Sequence, residues 1–122
     1  MLINDKLINM LTHKQYILAS SSKSRFQILK NCGLNFMQIK PICDEENIKN
    51  KIANKIKDPR SFAKRLSYEK ALSVSNIKKY KNKDVIGCDT LIYINNTIMD
   101  KAKNFKEAKT KIKMLSGKSH KI

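Results

Sequence analysis

Hydrophobic and polar positions follow two different rhythms along this chain. Tyr16-Ile17-Leu18-Ala19 is a short apolar run that gives way to Ser20-Ser21-Ser22, which is the length and composition of a buried strand. From Ser22 onward the apolar positions shift to helical spacing. Phe26, Ile28, Leu29 and Cys32 are expected to face inward, with Ser22 as N-cap and Gly33 closing the helix. Leu34 to Ile39 reads as a second strand of imperfect alternation. Pro41 to Lys57 is polar and reads as a loop with one short helix, and Asp58-Pro59 marks the next helix start, a cap followed by proline at the first helical position.

That helix is predicted to run from Pro59 to about Ile77. Projected at about 100° per residue, Phe62, Ala63, Leu66, Val74 and Ile77 share an arc about 120° wide, a normal buried stripe. Lys70 falls near the middle of it. A lysine there is costly unless its stem snorkels to the surface or its ammonium meets an anion. If it is an anion ligand, Lys70→Met is expected to hold or raise stability, because a charge leaves an apolar stripe.

Asp84 to Cys88 reads as a third strand, Leu91 to Ile94 continues extended, and Asn95-Asn96 looks like a hairpin turn returning through Thr97 to Met99. Asn104 with Glu107 forms a capping box for a last helix in which Ala108, Ile112 and Leu115 are expected to face inward, closed by Ser116-Gly117. Strands alternating with helices predict an α/β sandwich.

Length allows one domain with a real core. The stretch Met1 to Leu11 is broken by Asn4, Asp5, Lys6 and Asn9, so it lacks the continuous core of a signal peptide. Ile3, Leu7, Met10 and Leu11 suggest a short amphipathic helix, making residues 1–14 an N-terminal extension to a domain over 15–122. No segment approaches the roughly 20 apolar residues of a membrane span. Cys32, Cys43 and Cys88 are odd in number and without metal-type spacing, which fits a reduced, cytoplasmic compartment.

The formal net charge of +16 invites a nucleic-acid reading. Nearly all the cations are lysines, however, and the arginines are only Arg25, Arg60 and Arg65. Interleaved aromatics and arginine forks, the marks of specific nucleic-acid contact, are missing. A solvated lysine surface that attracts anionic nucleotides is the preferred reading, with a basic binding module as the alternative.

Three places carry candidate chemistry. Ser20-Ser21-Ser22 with Arg25 sits at a strand-to-helix turn, where backbone N–H groups and a guanidinium suit phosphate, though Ser22 can equally be a plain N-cap. Asp89 lies just past an apolar strand, where open α/β sheets bind ligands. A carboxylate there can hold a hydrated divalent cation or take a proton from water, or simply make an Asx turn. Asp44-Glu45 offers further oxygens from a loop, or is an ordinary solvated pair. Gly117-Lys118-Ser119 imitates the tail of a P-loop, but Ile112 stands where the first glycine belongs and a helix precedes it, so that motif is rejected.

Taken together these blocks resemble the Maf family, nucleotide pyrophosphatases once linked to septum formation. The matching stretches are Ile17-Leu18-Ala19-Ser20-Ser21-Ser22 with Arg25, Pro41 to Glu45, Arg65-Leu66 with Glu69-Lys70-Ala71, Ile86-Gly87-Cys88-Asp89-Thr90, Lys101, and Leu115-Ser116-Gly117 with His120. The resemblance implies the α/β/α architecture shared with inosine triphosphate pyrophosphatases. It also implies conversion of a nucleoside triphosphate and water to the monophosphate and diphosphate, with Mg²⁺, or Mn²⁺ or Co²⁺, as cofactor. By that resemblance Asp89 is the proton acceptor and Glu45, with Asp89, an acidic position at the metal. Lys70 and Lys101 are catalytic cations. Ser22 and Arg25 bind phosphate, and Ser24 and Thr90 bear on base choice.

Several positions depart from the family pattern. Lys23 replaces a proline, Ser24 replaces an arginine or tryptophan, and Asp100-Lys101-Ala102 stands for Gly-Lys-Pro. Thr90 follows the aspartate as in the branch acting on dTTP and UTP, whereas Ser24 fits neither that branch nor the one acting on 7-methyl-GTP. Family members continue past the serine-glycine-histidine block. The expectation is therefore an incomplete, truncated sheet with Lys121-Ile122 beginning a further strand, and with exposed apolar surface that favours a homodimer. A catalytically inactive remnant stays open beside the enzyme reading.

Overall fold

The computed structural model describes residues 5–7 and 14–122. Residues 5–7 form a helical turn, and the rest of the helix expected from Ile3 to Leu11 lies outside the described residues. Strand β1 (Tyr16–Ala19) is the centre of a three-stranded parallel sheet, between β2 (Phe36–Ile39) and β3 (Asp84–Gly87). Ala19 lies level with Ile39 on one side and Gly87 on the other, so the three strands end together.

Parallel neighbours need crossovers, and helices supply them. Helix α1 (Lys23–Asn31) links β1 to β2, while α2 (Glu45–Ala53) and α3 (Pro59–Ser75) link β2 to β3. Ile17 and Ala19 pack with Val74 of α3. On the opposite face Phe36 meets Phe26 of α1 edge to face, with ring centroids 5.2 Å apart. Helices therefore cover both faces, the expected α/β layering. A second cluster of Ile52, Phe62 and Leu66 joins α2 to α3 and reaches Leu91 and Ile98. Beyond β3, β4 (Ile92–Ile94) and β5 (Thr97–Met99) pair antiparallel through Asn95 and Asn96, both at positive φ, and α4 (Phe105–Leu115) follows. No helix among the described residues is long and apolar enough to cross a membrane.

Local signals explain most of the boundaries. Ser22, Asp44, Asp58 and Asn104 each accept the backbone N–H three residues on, which satisfies one orphan donor per helix. Gly33, at φ 76°, closes α1, and the Leu34 N–H reaches back to the Leu29 carbonyl in a Schellman turn. Glu107 completes only half of the predicted capping box, because its carboxylate accepts the Lys103 N–H and not that of Asn104. Lys121 pairs antiparallel with Tyr93, as the expected start of a strand.

Three expectations are corrected. Asp44-Glu45 does not lie in a loop: Asp44 is the N-cap and Glu45 the first residue of α2. In α1, Ile28 is 61 % exposed and Cys32 is exposed, because the helix leans on the sheet chiefly through Phe26. Ile112 of α4 is 66 % exposed and Phe105 84 %, since among the described residues no element covers that face.

Candidate active site

Along α3 the residues Phe62, Leu66, Lys70 and Val74 follow one another at four-residue spacing, and all four are buried. Lys70 thus occupies a core position, as its place in the apolar stripe predicts. The backbone explains what it meets there. Gly87 faces α3, and an added Cβ would lie 2.0 Å from the Ser67 carbonyl oxygen. Only glycine admits the helix this close to β3. One turn further along α3, the Lys70 ammonium reaches the carboxylate of Asp89, two residues beyond Gly87.

The Lys70 Nζ donates to Asp89 Oδ1 at 2.7 Å and lies 3.4 Å from Glu45 Oε2, with both Lys70 and Asp89 side chains 7 % exposed. Neither snorkelling nor an external anion is needed, because the chain supplies the counter-charge. This reverses the expected effect of Lys70→Met: removing the cation strands a buried carboxylate. On its other side Glu45 Oε1 is 3.3 Å from Lys49 Nζ, which is itself 3.2 Å from Asp100 Oδ1. Asp100, Lys49, Glu45, Lys70 and Asp89 thus form a row of alternating charge.

Within the row, Glu45 and Lys49 are shifted from their ordinary values. Burial raises the Glu45 carboxyl, but Lys70 and Lys49 outweigh it and leave the group below its ordinary value. Burial lowers the Lys49 ammonium, and Asp100 and Glu45 more than restore it. Burial pushes the nearby Cys43 thiol up, against a hydrogen bond with Ser73. Asp89 Oδ2 is buried and has no hydrogen-bond partner among the described residues, a costly condition for a carboxylate oxygen.

The serine turn builds the opposite wall. Ser22 Oγ accepts the Arg25 N–H at 3.3 Å, so the plain N-cap reading of Ser22 is realised. The same turn also faces the cleft. The Arg25 guanidinium donates to Ser20 Oγ at 3.2 Å and to Thr90 Oγ1 at 3.0 Å, joining the segment after β1 to the segment after β3. These two strands flank the point where the crossovers diverge, and their carboxyl ends are where open α/β sheets form crevices. Ser24 sits on the exposed rim, within 3.0 Å of Ser22 Oγ.

A cleft of about 390 Å³ opens between these walls, lined by Ser20, Ser22, Arg25, Glu45, Lys70 and Lys101 among others. Every candidate from the sequence therefore gathers at one end of the sheet: five of them on the cleft wall, Asp89 behind Lys70, and Thr90 and Ser24 at the Arg25 edge. Ser20, Lys40 and Cys43 also line the cleft, and Lys49 and Asp100 support it. Of these, the sequence singles out neither Lys40 nor Lys49, whereas Ser20 belongs to the serine turn, Cys43 to the Pro41 to Glu45 stretch and Asp100 to the segment around Lys101. The signal for Lys49 was its place four residues after Glu45, the favourable order for a helical ion pair.

The family model for Maf-like protein matches residues 15–122. The chain is 42 % identical over 108 residues to the dTTP/UTP pyrophosphatase of Aquifex aeolicus (strain VF5), covering 87 % of this chain and 51 % of that protein. It is 35 % identical over 109 residues to the dTTP/UTP pyrophosphatase of Geobacillus sp. (strain WCH70), covering 89 % and 54 %. It is also 39 % identical over 106 residues to the 7-methyl-GTP pyrophosphatase of Bartonella quintana (strain Toulouse), covering 87 % and 52 %. The chain spans about half the length of the curated relatives it matches. With the motif blocks converging on one cleft and the family model covering all of that cleft, the chain belongs to the Maf-like protein family.

Proposed function

We propose that this protein hydrolyses nucleoside triphosphates to the monophosphate and diphosphate in the cleft between the serine turn and the charged row. The observation that carries the reading is the Lys70 ammonium held between Asp89 and Glu45, facing the Arg25 wall. Arg25 spends two donors on Ser20 and Thr90, leaving others of its five for phosphate oxygens. Lys101 and Lys70 add cations where charge builds on the phosphoryl group. Asp89 has one oxygen fixed by Lys70 and the other unengaged, the arrangement of a positioned proton acceptor for water. Ser22 lines the phosphate side, and Thr90 and Ser24 stand at the edge where a base would project.

A divalent cation, Mg²⁺ first and Mn²⁺ or Co²⁺ as alternatives, would find two carboxylates here, Asp89 and Glu45, and would need substrate oxygens to complete its shell, since the described residues hold no cluster of three or more His, Cys, Asp or Glu that could bind it. The orphaned Asp89 Oδ2 and the Glu45 carboxylate are hard oxygen donors, and a magnesium site commonly takes one or two carboxylates with substrate phosphates completing it. Bound there, the ion would supply Lewis-acid stabilisation of the phosphate oxygens. The dTTP and UTP class is the first to test, given Thr90 and the two dTTP/UTP pyrophosphatases among the relatives. Three free cysteines support a reducing, cytoplasmic setting. The exposed Phe105 and Ile112 support self-association of copies through α4.

The test is incubation of the purified protein with Mg²⁺ and a panel of canonical and modified triphosphates, with pyrophosphate release as readout. Release that is lost in Asp89→Asn supports the reading. Nucleotide binding without release identifies a nucleotide-binding protein, and neither binding nor release overturns the proposal.

A further inference from the structure

We infer that Lys49 is a positioning residue, which ties the Glu45 carboxylate on α2 to the loop carrying Lys101 and so fixes both at the mouth of the cleft. The inference rests on the pyrophosphatase reading for what the cleft binds. Its geometry comes from elsewhere in the chain. The Lys49 ammonium stands between Glu45 Oε1 at 3.3 Å and Asp100 Oδ1 at 3.2 Å, and its side chain is only 25 % exposed. It therefore spans from helix α2 to the loop that follows β5, 51 residues away in sequence.

The same loop is held from the other side. Lys111 of α4 donates to the carbonyls of Asp100 at 2.6 Å and Lys101 at 3.1 Å. With Lys49 on the Asp100 side chain and Lys111 on the backbone, the segment at Lys101 is anchored in two directions. The Lys101 ammonium itself has no partner among the described residues and lines the cleft. A cation left unpaired on a segment held from two directions is poised for an anion, and holding it in place reduces the ordering cost of binding. Asp100 and Ala102 are the two departures from Gly-Lys-Pro at this loop. A side chain able to form a tether precedes Lys101, and a residue without proline's fixed φ follows it.

Lys49 also holds Glu45 through Oε1, leaving Oε2 to Lys70. The two tasks are separable by mutation. Asp100→Asn takes the charge out of the loop tether alone, Lys49→Gln removes the cation from both contacts, and Lys49→Arg keeps a cation that can reach both acceptors.

The experiment compares these variants with the parent protein in pyrophosphate release, in binding of inorganic triphosphate, and in amide hydrogen exchange at residues 101–103. Asp100→Asn and Lys49→Gln are expected to weaken triphosphate binding and raise KM about two- to fivefold, the scale of a partly exposed ion pair, with kcat within about twofold of the parent. Exchange at 101–103 quickens in both. Only Lys49→Gln raises the Mg²⁺ concentration for half-maximal release, and Lys49→Arg restores all three readouts. Unchanged KM and triphosphate binding in Asp100→Asn overturns the positioning role, whether or not exchange changes. A parent protein that binds no triphosphate overturns the pyrophosphatase reading and the role that rests on it. Parent binding with unaltered variants overturns the role of Lys49 alone.

Discussion

The Lys70 ammonium and the Asp89 carboxylate meet at 2.7 Å in a place where each side chain is only 7 % exposed. Such a pair is a weak source of net stability, but each partner depends on the other, since removing one leaves an uncompensated buried charge. Lys70→Met is therefore expected to lower stability at neutral pH by about 3 kcal/mol or more. The double variant Lys70→Met/Asp89→Asn recovers most of that loss. Urea denaturation of the four proteins in the cycle measures the coupling, and additive losses would show that the pair is not energetically joined.

Gly87 makes a second prediction. A methyl group at this position meets the Ser67 carbonyl oxygen, part of the backbone of α3, at 2.0 Å. The helix must retreat from β3, and overpacking of this kind costs about 1–3 kcal/mol. Gly87→Ala is expected to lower the thermal midpoint. On the proposed function it also weakens nucleotide binding, through the displacement of Lys70 from Asp89 and without altering any charged group.

Glu45 gives the pH dependence its sign. Its carboxyl sits below the ordinary value in the folded chain, because Lys70 and Lys49 overcome the effect of burial. The unfolded chain then binds this proton at higher pH than the folded one. The stabilising contribution is present above the ordinary carboxylate range and is lost as pH falls through the lowered folded value. The stability difference between the parent and Glu45→Gln, under about 1 kcal/mol because Glu45 is 38 % exposed and screened, should be fullest near neutrality. It should shrink away below about pH 4. A difference that grows on acidification would contradict this assignment.

At the β4–β5 turn, Asn95 and Asn96 have φ values of 50° and 58°. A two-residue turn with both centres left-handed favours glycine at the second position. Asn96→Gly is expected to raise stability by about 0.5 kcal/mol, and Asn96→Ala to lower it by about 1 kcal/mol. Thermal melts of the two variants check the ordering.

The sequence made the elements legible where a local signal had no competitor. The caps at Ser22, Asp58 and Asn104, the glycine closing α1 and the Asn95-Asn96 turn stand where their chemistry places them. Lys70 was visible because a charge inside an apolar stripe is conspicuous. Asp44 misled because the polar stretch from Pro41 to Lys57 reads as a loop with one short helix whose start the pattern does not fix, although aspartate before a helix is also a good cap. Ile28 and Ile112 have correct helical spacing, but periodicity names a face and not what covers it. Lys49 was hidden among many lysines, and its partner Asp100 is supplied only by tertiary structure.

The central position of β1 has a consequence for the order in which the cleft assembles. Lys70 and Asp89 are 19 residues apart and belong to one helix–strand unit, whereas Arg25 and Thr90 are 65 apart and meet only when β1 is seated beside β3. Closing the longer loop costs about 1 kcal/mol more chain entropy. The two walls therefore differ in topological reach: the acidic wall is a nearly local product of α3 docking on β3, while the arginine wall is a non-local contact that reports completion of the sheet. Partial unfolding that lifts β1 away separates Arg25 from Thr90 while Lys70 and Asp89 stay joined.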